Sequence, residues 1–191
     1  MARRPCGPGA AARGGTPVNR RTWLIGGAAA LGGAAGLGWQ LWGERQESAL
    51  HAATGGIWTL RFPRPQGGEL VLAQLRGAPL LLNFWATWCP PCVREMPALD
   101  RVHREFAPRG LAVVGLAIDA PTPVREFLVR TPVGYPIGLA GFEGTELSRR
   151  LGNDRGALPF SVLFGADGAI RQRKLGEATE DDLRTWARSV V

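Results

Sequence analysis

The chain has 191 residues and a formal net charge of +7, with 45% hydrophobic and 20% charged residues. With the N-terminal segment set aside, about 145 residues remain, enough for one domain with a single core and short for two. Residues 1–43 carry five Arg and no acid, whereas residues 44–191 carry 18 basic and 16 acidic groups; basicity so spread lacks the concentrated face of a nucleic-acid binder, and no nucleic-acid partner is expected.

The five Arg (Arg3, Arg4, Arg13, Arg20, Arg21) precede a run without charge, Thr22 to Gly43. As a helix this run would extend about 33 Å, enough to cross a hydrocarbon core of about 30 Å. Trp23 stands at one end and Trp39 and Trp42 at the other, where aromatic rings prefer the interface. Residues 1–22 therefore read as an Arg-rich cytoplasmic tail and 23–43 as a single-pass transmembrane anchor or uncleaved signal, with residues 44–56 as a linker. Asn19-Arg20-Arg21-Thr22-Trp23-Leu24 also resembles a twin-arginine export signal, so a cleaved signal peptide stays open. No clear A-x-A site follows the run, which favours the anchor. Both readings put residues 44–191 outside the cytoplasm; the anchor holds them at the inner (cytoplasmic) membrane on its periplasmic side. A buried helix of a soluble protein is the weaker third reading.

Residues 57–191 are expected to form the folded domain. Ile57 to Phe62 alternates as a strand does, Pro63 to Gly68 reads as a turn, and Glu69 to Leu72 as the returning strand. After a break at Arg76-Gly77-Ala78-Pro79, Leu80 to Trp85 is a continuous apolar run suited to a central strand covered on both faces. Pro90 to Phe106 reads as a helix, because prolines are tolerated in a first turn whose N–H groups have no intrahelical partner. Met96, Leu99, Val102 and Phe106 form its buried stripe, and Pro97 should kink it.

Leu111 to Ile118 is a second buried strand, Pro123 to Val129 a short helix, and Tyr135 to Leu139 a short extended piece. A helix is expected from Thr145 to Leu151, stopped by Gly152-Asn153. Phe160 to Phe164 and Ala169 to Lys174 read as strands joined by the hairpin turn Gly165-Ala166-Asp167-Gly168. Thr179-x-x-Asp182 resembles a capping box opening a last helix. The order of elements makes the domain α/β with a mixed central sheet flanked by helices, preceded by an N-terminal β-hairpin.

Of three cysteines, two form Cys89-Pro90-Pro91-Cys92, and Cys6 in the tail reads as an incidental thiol. Val93 stands where a heme attachment site needs His, and His51 and His103 cannot complete a zinc site. A C-x-x-C at a strand–loop–helix junction places the first Cys at the helix N-terminus, where free N–H groups and the helix dipole favour the thiolate. Cys92, one turn inside, can then attack a mixed disulfide. Cys89 is thus the expected nucleophile and Cys92 the resolving thiol, and this exchange requires no metal or organic cofactor.

Asn83 to Pro97, NFWATWCPPCVREMP, resembles the active-site stretch of the TlpA/ResA group of membrane-tethered thioredoxin-like proteins. The resemblance covers about residues 57–190 and implies a thioredoxin-like fold with a lead-in hairpin. It also implies a protein-disulfide reductase outside the cytoplasm, with apocytochrome c awaiting heme as the first substrate to consider and a membrane electron donor of DsbD/CcdA type. Leu158-Pro159, before a late strand, matches the group's cis-proline, which leaves the Leu158 backbone free to pair with an extended substrate. Ordinary thioredoxins carry a buried Asp where this chain has Asn83. Glu95, three residues after Cys92, matches a Glu of the group and is read as the proton acceptor for the dithiol, against the simpler reading of a solvent-facing helix residue.

Trp88 is a candidate substrate contact, Trp85 a packing residue at the rim, His103 a helix-surface residue, and Asp119 a loop cap. Two other functions are weighed. A peroxiredoxin-like peroxidase wants Thr three residues before its Cys, where Ala86 stands; a Cu(I)-handling protein would want Met or His in the motif, and neither is present.

Overall fold

The computed structural model describes residues 56–191, so the expected tail, anchor or signal and all of the linker but Gly56, with Cys6 and His51, lie outside the described residues. Two sheets are present among them. Strands β1 (Arg61–Pro63) and β2 (Glu69–Val71) form the antiparallel lead-in hairpin. The main sheet has the order β5-β4-β3-β6-β7, from β3 (Leu80–Trp85), β4 (Ala112–Ala117), β5 (Ile137–Leu139), β6 (Phe160–Phe164) and β7 (Ile170–Leu175). β3, β4 and β5 run parallel, while β6 pairs antiparallel with both β3 and β7, so the sheet is mixed as expected. The helices are α1 (Pro90–Phe106), α2 (Pro121–Arg130), α3 (Glu143–Arg150) and α4 (Glu180–Arg188).

β3 is central, and every residue in it is buried. Its alternation sorts the core into two halves. Leu81 and Trp85 face the side of α1, with Met96, Leu99, Val102 and Phe106 and with Leu183 of α4. Leu80, Leu82 and Phe84 face the other side, with Phe160, Val162 and Phe164 of β6 and Leu147 of α3. The apolar stripe read from α1 is fully buried, and each of its four members is at 0% exposure.

Several boundaries differ from expectation. Ile57 to Thr59 is a 3-10 turn and not the start of a strand; only Arg61–Pro63 pairs. Ile57 and Trp58 are both buried although adjacent, which a strand facing one core could not achieve. Trp58 meets Phe164 edge to face at 5.9 Å. Leu72 likewise leaves the hairpin for a 3-10 segment, Leu72–Leu75. α2 begins at Pro121, two residues early, since proline suits a first helical turn. α3 begins at Glu143, also two residues early. α1 is helical throughout its length, with Pro97 inside it.

The closing hairpin and helix form as read. Gly165 N–H donates to Ala169 O at 2.9 Å across the turn. Gly168 there takes φ +77°, a left-handed conformation that costs glycine little. Thr179 and Asp182 cap α4 reciprocally, each side chain accepting from the other's backbone N–H.

Candidate active site

Cys89 is the N-cap residue of α1, with extended φ/ψ of −105° and 98°. It leaves the carboxyl end of β3 through a turn closed by Cys89 N–H donating to Ala86 O at 3.3 Å. Pro90 and Pro91 then open the helix. Cys89 and Cys92 are joined by a disulfide, with their Cα atoms 5.3 Å apart. The Cys92 N–H donates to Cys89 Sγ at 3.3 Å, so an otherwise orphaned helix N–H points at the sulfur expected to carry charge. Both cysteines are largely buried. Cys89 is 5% exposed and Cys92 1%, so the expected order holds, but Cys89 is not an openly exposed thiol.

Glu95 lies inside the protein. It is 2% exposed, and the solvent-facing reading is therefore corrected. The Ser161 Oγ–H donates to Glu95 Oε1 at 3.4 Å, and Asn83 Nδ2–H donates to Ser161 Oγ at 3.0 Å. Asn83 and Ser161 are cross-strand partners in the β3–β6 register, both on the face that meets α1. Glu95 Oε2 is buried with no hydrogen-bond partner among the described residues. Burial raises the Glu95 pKa to about 7, and Glu177 adds to the rise; the Ala178 backbone, the Ser161 hydroxyl and Lys174 oppose it. Neither Asn83 nor Ser161 can ionise in this range, so Glu95 is the ionisable member of this hydrogen-bonded trio. The role of Ser161 was missed from sequence. Its signal was available in principle, as a polar residue at an inward position of a buried strand.

The other candidates take distinct places. Trp88 is 66% exposed beside Cys89, whereas Trp85 is fully buried in the core and not at a rim. The Leu158–Pro159 peptide is cis. The register Phe84↔Phe160 brings this pair to the sheet end from which Cys89 emerges, and Pro159 O accepts from Gly176 N–H at 2.8 Å. His103 is half-buried rather than on the surface. Its ring meets Tyr135 edge to face at 6.3 Å, and desolvation lowers its pKa. Tyr135 is buried and its hydroxyl pKa is raised, first by desolvation and then by the charges of Glu95 and Asp100. Asp119 caps a loop as expected, through bonds to Thr87 and Ala120.

The Cys89–Cys92 pair at the N-terminus of α1, carried on this mixed sheet, makes the protein a thioredoxin-fold thiol–disulfide oxidoreductase. The sequence places it more narrowly: residues 58–187 match the Redoxin family, and the chain belongs to it. It is 28% identical over 127 residues to the thiol-disulfide oxidoreductase ResA of Bacillus cereus, covering 66% of this chain and 71% of that protein. The ResA of Halalkalibacterium halodurans is 30% identical over 116 residues, covering 60% and 64%. Among solved structures, a thioredoxin-family thiol:disulfide interchange protein from Chlorobium tepidum TLS superposes with a TM-score of 0.61 at 27% identity, over 69% of this chain and 92% of its own. A thioredoxin-related protein from Neisseria meningitidis serogroup B gives 0.61 at 30% identity, over 69% and 98%.

Proposed function

We propose that this oxidoreductase is a reductase of protein disulfides on the extracytoplasmic side of the cytoplasmic membrane, with apocytochrome c as the first candidate substrate. In the reduced protein the Cys89 thiolate attacks one sulfur of the substrate disulfide. That S–S bond breaks, one substrate thiolate leaves, and a mixed disulfide forms. Cys92 gives up its proton and attacks the Cys89 sulfur, which releases the second substrate thiol and closes the Cys89–Cys92 disulfide. Two electrons pass to the substrate, and a membrane dithiol donor of DsbD/CcdA type returns them to the protein.

The carrying observation is the buried Glu95, one turn beyond Cys92 on α1, with its pKa raised to about 7. A carboxyl group poised there can take the Cys92 proton at neutral pH, which an ordinary surface Glu does poorly. Two features support an extended polypeptide as the partner. Trp88 is exposed beside the nucleophile, and the Leu158 backbone engages in no backbone hydrogen bond among the described residues. The Arg-flanked apolar run supports the location.

The deciding measurement is the reduction potential of the Cys89–Cys92 couple. A value near that of thioredoxin, about −270 mV, supports a reductase, while one near about −120 mV makes the protein an oxidant and overturns the reading.

A further inference from the structure

Asp119 lies two residues past the end of β4, and its carboxylate gathers three donors. Its Oδ2 accepts the Thr87 N–H at 3.0 Å and the Thr87 hydroxyl at 2.5 Å. Its Oδ1 accepts the Ala120 N–H at 2.7 Å. Thr87 and Trp88 are the two central residues of the turn that Cys89 N–H closes on Ala86 O. The residue before Asp119 holds the start of the same turn, since Ile118 N–H donates to Trp85 O at 2.8 Å. Two successive residues at the end of β4 thus grip the chain that leads from β3 to Cys89.

We infer that Asp119 is a positioning residue for the redox reaction, which through Thr87 holds Cys89 Sγ over the N-terminus of α1. The inference rests on dithiol exchange at Cys89 and not on the direction of electron flow. The sulfur accepts from Cys92 N–H at 3.3 Å, and this contact depends on where the turn delivers the Cys89 backbone. On the helix side Pro90 and Pro91 restrict the backbone, because proline fixes φ. On the strand side the Thr87–Asp119 clamp supplies the restraint. In the oxidised protein the disulfide itself ties Cys89 to Cys92. Reduction removes that tie, so the clamp acts chiefly on the reduced, nucleophilic form. Holding the sulfur against the helix end favours the thiolate, and anything that stabilises the reduced form raises the potential of the couple.

The test uses the full chain carrying Cys92→Ala, with alkylation of Cys89 followed peptide by peptide in a mass spectrometer, so that Cys6 does not interfere. Asp119→Ala is expected to slow Cys89 alkylation at pH 7 by about threefold to tenfold and to move the midpoint of the pH–rate profile upward. Thr87→Val keeps the backbone bond and loses the hydroxyl bond, so its change is smaller and of the same sign. Thr87→Ser restores the hydroxyl and the parent profile. With Cys92 in place, Asp119→Ala makes the couple more reducing. Profiles of Asp119→Ala and Thr87→Val that superimpose on the parent overturn the inference and leave the clamp a structural contact only. If Asp119→Ala does not fold, the Thr87 pair decides: a slowed Val variant rescued by Ser supports the inference. A Ser variant that behaves like Val, or a Val variant that behaves like the parent, overturns it.

Discussion

The Ser161 hydroxyl donates to Glu95 Oε1 at 3.4 Å, joining the central sheet to the helix that carries the dithiol. The carboxyl group so held keeps its other oxygen buried without a hydrogen-bond partner among the described residues. Burial raises its pKa to about 7, against the lowering pull of the Ala178 backbone and the Ser161 hydroxyl.

Replacing Glu95 with Gln keeps the shape and removes the base. Resolution of the mixed disulfide should slow by about 10²-fold, the lower end of what a positioned general base contributes. The parent rate should rise with pH through about 7, as Glu95 ionises, and the variant should lack that rise. Stopped-flow reduction of a model disulfide at several pH values reads both effects. An unchanged rate and profile would mean that water takes the Cys92 proton.

The same group sets a pH dependence of stability. Its folded pKa, about 7, lies above the ordinary 4.5, so the folded state binds its proton more tightly than the unfolded chain. Below about pH 4.5 both states hold the proton and this contribution to stability is fully present. Between there and about 7 the unfolded chain ionises first, and stability falls as pH rises, by on the order of 3 kcal/mol in all. Thermal unfolding of the oxidised protein from pH 4 to 8 should show a Tm decline that Glu95→Gln abolishes. Parallel Tm profiles for the two proteins would place the Glu95 carboxyl in water.

Ser161→Ala removes a donor that favours the carboxylate, so the Glu95 pKa should climb above about 7. The pH–rate profile should then shift to higher pH with its maximum preserved. The Asn83 amide also loses its acceptor in the core, at a cost of about 1–3 kcal/mol. A profile that does not move would detach Ser161 from the proton traffic.

Nucleophile identity is read by alkylation of the single-cysteine variants. Cys89, at the helix N-cap, should react faster at pH 7 in Cys92→Ala than Cys92 does in Cys89→Ala. Both sulfurs are largely covered, so the contrast should come from thiolate content more than from access. The reverse order of rates would exchange the two roles.

On the proposed topology, argued from five Arg before the uncharged run, alkaline phosphatase fused after Val191 should be active. A fusion that is expressed and inactive would place the domain inside the cell.

Much of this molecule is written locally. The apolar run Leu80 to Trp85, the prolines after Cys89, the period of Met96, Leu99, Val102 and Phe106, and the Thr179–Asp182 box each act within one or two turns of chain. Each became the expected element. The exchange chemistry of the dithiol was legible for the same reason, since three residues of spacing at a helix start carry it. Where local signals misled, burial had the last word: adjacent Ile57 and Trp58 both went into the core, and the expected strand gave way to a tight turn.

The sequence by itself determined the α/β order, the dithiol and its place at the mouth of α1, because periodicity, capping and proline stereochemistry operate between near neighbours. The tertiary structure alone decided that Glu95 would be buried and that Ser161 and Asn83 would stand behind it. It also decided that Asp119 would hold Thr87. These pairs are 66, 78 and 32 residues apart, and their meeting depends on the register of β6 and β4 against β3. A shift of one residue would turn Ser161 to the opposite face of the sheet, away from the helix that carries the dithiol.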